Sequence, residues 1–73
     1  MNMDKGEGLT LLQSAIIREF ANNNMRVNKT AEAVFVSNGA VTYNIKKIKK
    51  KTGLDPMCFY ELVELLKIVK GEM

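Results

Sequence analysis

The chain has 73 residues and a formal net charge of +3, with no histidine, one cysteine and 47% apolar residues. That is one small domain with a single thin core, since a chain of this length buries only about 60% of the surface its unfolded form exposes. With no histidine, no cysteine pair, no glycine-rich phosphate loop and acids scattered over the chain, the sequence argues against an enzyme and against a metal or cofactor. A lone Cys58 permits no internal disulfide, and no run of about 18 apolar residues or signal-like segment is present, so a cytoplasmic setting is expected.

Residues 1–8, "MNMDKGEG", carry no apolar period and are expected to fray. A first helix is expected over about 9–22, with Leu9, Leu12, Ile16 and Phe20 on one face and Gln13, Arg18 and Glu19 elsewhere on the cylinder. Thr10 is an alternative N-cap, which would move the start by a turn. "NNN" at 22–24 ends the helix because asparagine tolerates left-handed backbone. A second helix, about 28–35, is expected to start from Asn28 as N-cap and to turn Ala31 and Val34 inward.

The next stretch, "AVFVSNGAVTYNIKKIKKKTG", poses a choice. Asn38-Gly39 between β-branched runs is a hairpin signal. Against it, "AVFV" does not alternate, and a lone two-stranded hairpin among helices is marginal. The helical reading gives Val41, Ile45 and Ile48 one destination, uses Ser37 as N-cap and places Gly53 at the left-handed end, so a third helix is expected over 38–52. A fourth, about 56–70, is expected to open on Asp55 as N-cap with Pro56 at the first helical position. Phe59, Leu62, Val63, Leu66 and Val69 form its core face. Leu65 and Ile68 fall on a second apolar face, which either the first helix or a second copy of the chain must cover; on the latter reading they are a dimer interface.

Charge is concentrated in this middle region. Residues 26–51 hold seven positive residues against the single acid Glu32, net +6, while the flanks sum to −3. No acid interrupts the run between Glu32 and Asp55, which is unlike a salt-bridged surface helix and points to a polyanionic partner.

Two helices joined by a tight turn, the second one basic, form a helix-turn-helix arrangement. Ala31 is small enough for close crossing, Val36 plugs the angle, and Val41 and Ile45 point to the core. The fold class expected is therefore a small all-α helix-turn-helix domain of about four helices within residues 9–70, the third being the basic recognition helix.

The segment "NKTAEAVFVSNGAVTYNIKKIKKKTGLDP" resembles the C-terminal helix-turn-helix of PucR-type regulators, the purine-catabolism and sugar-diacid regulator group. The likeness rests on "KTAEAV", the apolar turn "FV", the pattern V-x-Y-x-I-x-x-I and "TGLDP", and runs from about Leu11 to Leu66. A weaker likeness to LysR-type regulators covers 30–48. The resemblance implies a DNA-binding transcriptional regulator, here without the family's upstream sensory regions, as small phage or mobile-element regulators can be. Where the family often has His-Arg-Asn-Thr this chain has Ser37, Asn38, Gly39 and Ala40, and where the family has an arginine after the tyrosine it has Asn44.

Helix geometry then sorts the candidate contacts. Asn38, Gly39, Thr42, Tyr43 and Lys46 lie on the outward, N-terminal side of the third helix and are the candidates for base contact in the major groove of duplex DNA. Arg26, Lys29, Ser37, Lys47, Lys49 and Lys50 are the candidates for phosphate contact. Each has a plainer reading: Tyr43 as a half-buried core residue, Asn38 as a turn or cap, Gly39 as a neutral small residue, the lysines as a solvated face. The rival function is a protein-interaction module for an acidic partner surface. Single-stranded RNA is a weaker fit, since only Tyr43 and Tyr60 offer stacking rings. No small-molecule ligand is expected.

Overall fold

The computed structural model describes residues 8–71, so of the segment expected to fray, residues 1–7 lie outside the described part. Four helices follow in order: α1 Leu11–Asn22, α2 Val27–Val34, α3 Asn38–Thr52 and α4 Phe59–Gly71, with no strand among the described residues. The domain is all-α. The central α1 packs against each of the other three helices, and α2 and α3 pack against each other.

Helix α1 begins with Thr10 as N-cap, a full turn's chemistry rather than a frayed start. The Thr10 hydroxyl accepts from the Gln13 N–H (3.0 Å), and the Gln13 Oε1 accepts from the Thr10 N–H (3.1 Å), a closed capping box. The buried stripe runs Gln13, Ile16, Ile17 and Phe20, spaced three, one and three. This corrects the expected Leu9–Leu12 start of that stripe: Leu9 is half-buried and Leu12 is exposed, because the cap at Thr10 sets the rotation of the first turn. At the far end the Asn23 carboxamide donates to the Glu19 carbonyl (2.7 Å), and Asn24 and Met25 both take positive φ to reverse the chain.

The N-cap of α2 is Arg26, not Asn28, which lies inside the first turn. Buried Thr30 accounts for the difference, since its hydroxyl donates back to the Arg26 carbonyl (2.8 Å) and draws the cap two residues earlier. The helix ends in a Schellman pair, Val36 N–H to the Ala31 carbonyl (3.0 Å) and Phe35 N–H to the Glu32 carbonyl. Phe35 itself adopts the left-handed conformation, φ 62°. Val36 follows it into the core and wedges α2 from α3.

Helix α3 is bounded by residues whose chemistry defines its ends. The Ser37 Oγ accepts from the Ala40 N–H (3.0 Å), and Gly53 closes the helix at φ 77°. Lys49, Lys50 and Lys51 occupy the last turn, where cations oppose the negative end of the helix dipole. Val41, Ile45 and Ile48 are buried with Ile16, Ile17 and Phe20 of α1, Ala31 of α2, and Leu62, Leu65 and Val69 of α4.

Asp55-Pro56 does not open α4. The Asp55 carboxylate accepts from the Met57 N–H (2.9 Å) and its carbonyl from the Cys58 N–H (2.9 Å), which makes a separate turn with Pro56 buried in it. Regular α-helix starts only at Phe59, while Glu61 reaches back to the Asp55 N–H (2.5 Å). The delay leaves Phe59, expected in the core, 59% exposed. It also changes the fate of the supposed second face: Leu65 is fully buried in the domain's own core, and Ile68 is half-buried against it. Leu65 is therefore not left for a second copy to cover, since the domain's own core encloses it, while Ile68 stays half-buried.

Candidate nucleic-acid interface

A straight α-helix repeats every 3.6 residues, so the buried row Val41–Ile45–Ile48–Thr52 fixes where all other α3 residues point. Gly39, Tyr43, Lys46 and Lys50 lie opposite that row. Asn38, Thr42 and Lys49 flank it on the side of α2, and Lys47 and Lys51 flank it on the other. Asn38, Gly39, Thr42, Tyr43, Lys46, Lys47, Lys49 and Lys50 are all exposed. Thus every candidate contact of α3 falls on the solvent side, together with exposed Arg26, Lys29 and Ser37.

Local bonds hold several of these side chains. The Thr42 hydroxyl donates to the Asn38 carbonyl (3.1 Å), which steadies the first turn. Tyr43 is 60% exposed, which sets aside its reading as a core residue, and the Lys47 Nζ lies 5.7 Å from its ring centroid. Ser37 spends its acceptor on the helix cap but keeps an O–H to donate. Lys49 is 3.7 Å from the Asp55 carboxylate, so it is the candidate phosphate contact with a partner already beside it.

Gly39 is required neither by backbone strain nor by crowding. It lacks positive φ, and a Cβ placed there would meet only the Ser37 Oγ at 3.9 Å, an ordinary contact. Nothing within the domain requires glycine at this exposed helical position.

Helices α2 and α3 converge around a groove of about 280 Å³ lined by Val27, Thr42, Ile45, Lys46, Lys49, Asp55 and Met57. It joins the first turn of α2, where Arg26 and Lys29 stand, to the middle of α3. Ser37 and Asn38 sit at the other end of α3. The basic residues therefore form a band from the start of α2 along α3, not a compact spot.

Asn44 and Lys51 are exceptions on α3. Asn44 is half-buried and accepts at Oδ1 from the Gln13 Nε2 (3.1 Å), while its Nδ2 donates to the Ala40 carbonyl (2.8 Å). Lys51 donates to the Gln13 Oε1 (2.9 Å). Sequence reasoning placed Gln13 off the core face and missed this cluster. The signal was the Thr-x-x-Gln capping pattern at 10–13, which fixes Gln13 in the first turn three residues before Ile16. Phe35 was read only as part of an apolar turn, yet it is 93% exposed, two residues before Ser37 in the chain.

No helix among the described residues is long and apolar enough to cross a membrane, and no cluster of potential metal ligands occurs among them. A family model described as the PucR C-terminal helix-turn-helix domain matches residues 11–67. No curated protein and no solved structure matches the chain.

Proposed function

Because the chain belongs to the PucR C-terminal helix-turn-helix family, a family of DNA-binding regulatory domains, we propose that it is a transcriptional regulator that reads duplex DNA by docking α3 in the major groove. The observation that carries the proposal is the exposure of the lysines of α3, a helix that contains no acid. Asn38, Gly39, Thr42, Tyr43 and Lys46 meet base edges: the Asn38 carboxamide suits adenine, and the Thr42 methyl or the Tyr43 ring suits a thymine methyl. Arg26, Lys29, Ser37, Lys47, Lys49 and Lys50 hold phosphates and set the register.

About four or five neutralised phosphates per domain give a log–log salt slope near −4, a loss of a few hundred-fold in affinity between roughly 50 and 200 mM salt. Fluorescence anisotropy on a pool of random 30-base-pair duplexes, beside a Lys46→Glu/Lys47→Glu variant, tests this. Steep salt dependence that the variant abolishes is the expected result. The rival reading, docking on an acidic protein surface, draws support from the exposed rings of Phe35, Phe59 and Tyr60. Absence of duplex binding at low salt by the folded protein would favour it.

A further inference from the structure

Apolar packing of Val41, Ile45 and Ile48 sets which face of α3 turns inward. It is less directional than hydrogen bonding, so the exact roll of the helix is held more sharply by polar contacts. A roll of about 20° would move a side-chain tip by about 2 Å at the helix's outer radius of roughly 5–6 Å. Hydrogen bonds to base edges lose their geometry over a fraction of that. Some directional contact must therefore hold the roll of α3 if the helix is to discriminate between sequences.

Gln13 is placed for that role. Its side chain is buried. Both lone pairs of Oε1 are engaged, one by the Thr10 N–H at 3.1 Å and one by the Lys51 Nζ at 2.9 Å, and Nε2 donates to the Asn44 Oδ1 at 3.1 Å. The Asn44 amide is itself fixed by its bond to the Ala40 carbonyl, 2.8 Å. The carboxamide thus links the capped first turn of α1 to two points on α3, seven residues or about two turns apart. A two-point directional tie resists rotation where one point would allow a pivot.

We infer that Gln13 is a positioning residue for DNA recognition, setting the roll of α3 through Asn44 and Lys51, and that it withdraws Lys51 from the phosphate-binding set. This rests on the reading of α3 as the DNA-contacting helix. Lys51 remains charged, but its ammonium is directed to a neutral carboxamide on α1, away from the Gly39–Tyr43–Lys46 side of the helix.

The test compares the full chain with Asn44→Leu, Lys51→Gln and Lys47→Gln, measuring affinity against salt on a duplex selected from a random pool and on its shuffled counterpart. Asn44→Leu leaves the Thr10–Gln13 box in place, so α1 stays capped. It is expected to cut the preference for the selected duplex by about tenfold, the scale of one poorly read base pair. A mere loss of folded fraction scales both affinities alike and leaves this ratio unmoved, so the ratio reports orientation. Lys47→Gln is expected to flatten the salt slope by about 1, whereas Lys51→Gln leaves it unchanged. Unaltered preference in Asn44→Leu, or flattening by Lys51→Gln equal to that of Lys47→Gln, would overturn the inference while leaving the DNA reading intact. A wild-type chain with no salt-dependent duplex binding would remove both.

Discussion

The Lys47 ammonium lies 5.7 Å from the centroid of the Tyr43 ring, one helical turn away on the exposed side of α3. A cation over an exposed aromatic face contributes only about 0.5–1 kcal/mol, too little to explain the pair as a stabilising device. On the proposed DNA-binding reading, the pair holds the ring and the charge in fixed directions for the duplex. Tyr43→Ala is expected to change the unfolding free energy from urea titration by no more than about 1 kcal/mol, since the ring is mostly exposed. The same change should weaken selected-duplex binding by about 1–2 kcal/mol, with Tyr43→Phe close to wild type. A variant that lost stability but not affinity would return Tyr43 to the core.

Gly39→Ala separates the needs of the fold from those of the interface. The added Cβ has room and the backbone is not left-handed, so alanine should stabilise the domain by about 0.4–1 kcal/mol through the unfolded state. If backbone approach to DNA is why glycine stands there, the affinity for duplex falls as the melting temperature rises. Thermal melts by circular dichroism and anisotropy titrations on one preparation would show the two moving in opposite directions. Movement in the same direction would make Gly39 a neutral small residue.

Phe35 carries a strain that its contacts do not repay. A non-glycine residue in the left-handed region costs about 1–2 kcal/mol, and the ring is 93% exposed. Phe35→Asn keeps the Schellman turn with a residue that tolerates this conformation, and should raise stability by about 0.5–1 kcal/mol. Denaturant unfolding decides the matter. A loss of stability would mean the ring is sheltered in solution.

How far the sequence is legible depends on whether local chemistry or tertiary placement decides each point. Ser37 and Gly53 mark the ends of α3 because capping and left-handed backbone are properties of single residues. The same locality misleads at Asn28 and Asp55. Both are good cap residues, but Thr30 bonding to the Arg26 carbonyl and the tight turn at Asp55–Cys58 displace the helix starts by two and three residues. In α4 the buried row is Leu62, Leu65 and Val69, which leaves Phe59 exposed. For the interface, one helical period was enough to place Thr42, Tyr43 and Lys46 outward. The link from Gln13 to Asn44 and Lys51 spans 31 and 38 positions and has no local trace beyond the capping pattern.

The turn at Asp55 allows an ion pair to be compared with a cap in one side chain. Lys49 and Asp55 are 3.7 Å apart, and the lysine is well exposed, so screening leaves little net energy in the pair. The carboxylate also accepts from the Met57 N–H, and losing such a bond costs about 1 kcal/mol. Lys49→Met should therefore cost less than about 0.5 kcal/mol, and Asp55→Ala about 1 kcal/mol or more. Equal losses that both vanished in high salt would show the ion pair to be the main term.

Leu65 offers the sharpest contrast between a core residue and a shared one. It is fully buried within the domain, so Leu65→Ala removes apolar contacts and leaves a cavity, a loss of about 2–5 kcal/mol. For a domain of this size that is a large part of its total stability. The loss should be the same at micromolar and at hundred-micromolar protein, because burial within one chain already accounts for the site. Unfolding midpoints that rose with concentration in the wild type, but not in Leu65→Ala, would place this residue between two copies. The packing of α4 on α1 would then differ in solution, and pairing through α4 would regain its claim as the way two α3 helices are presented to DNA.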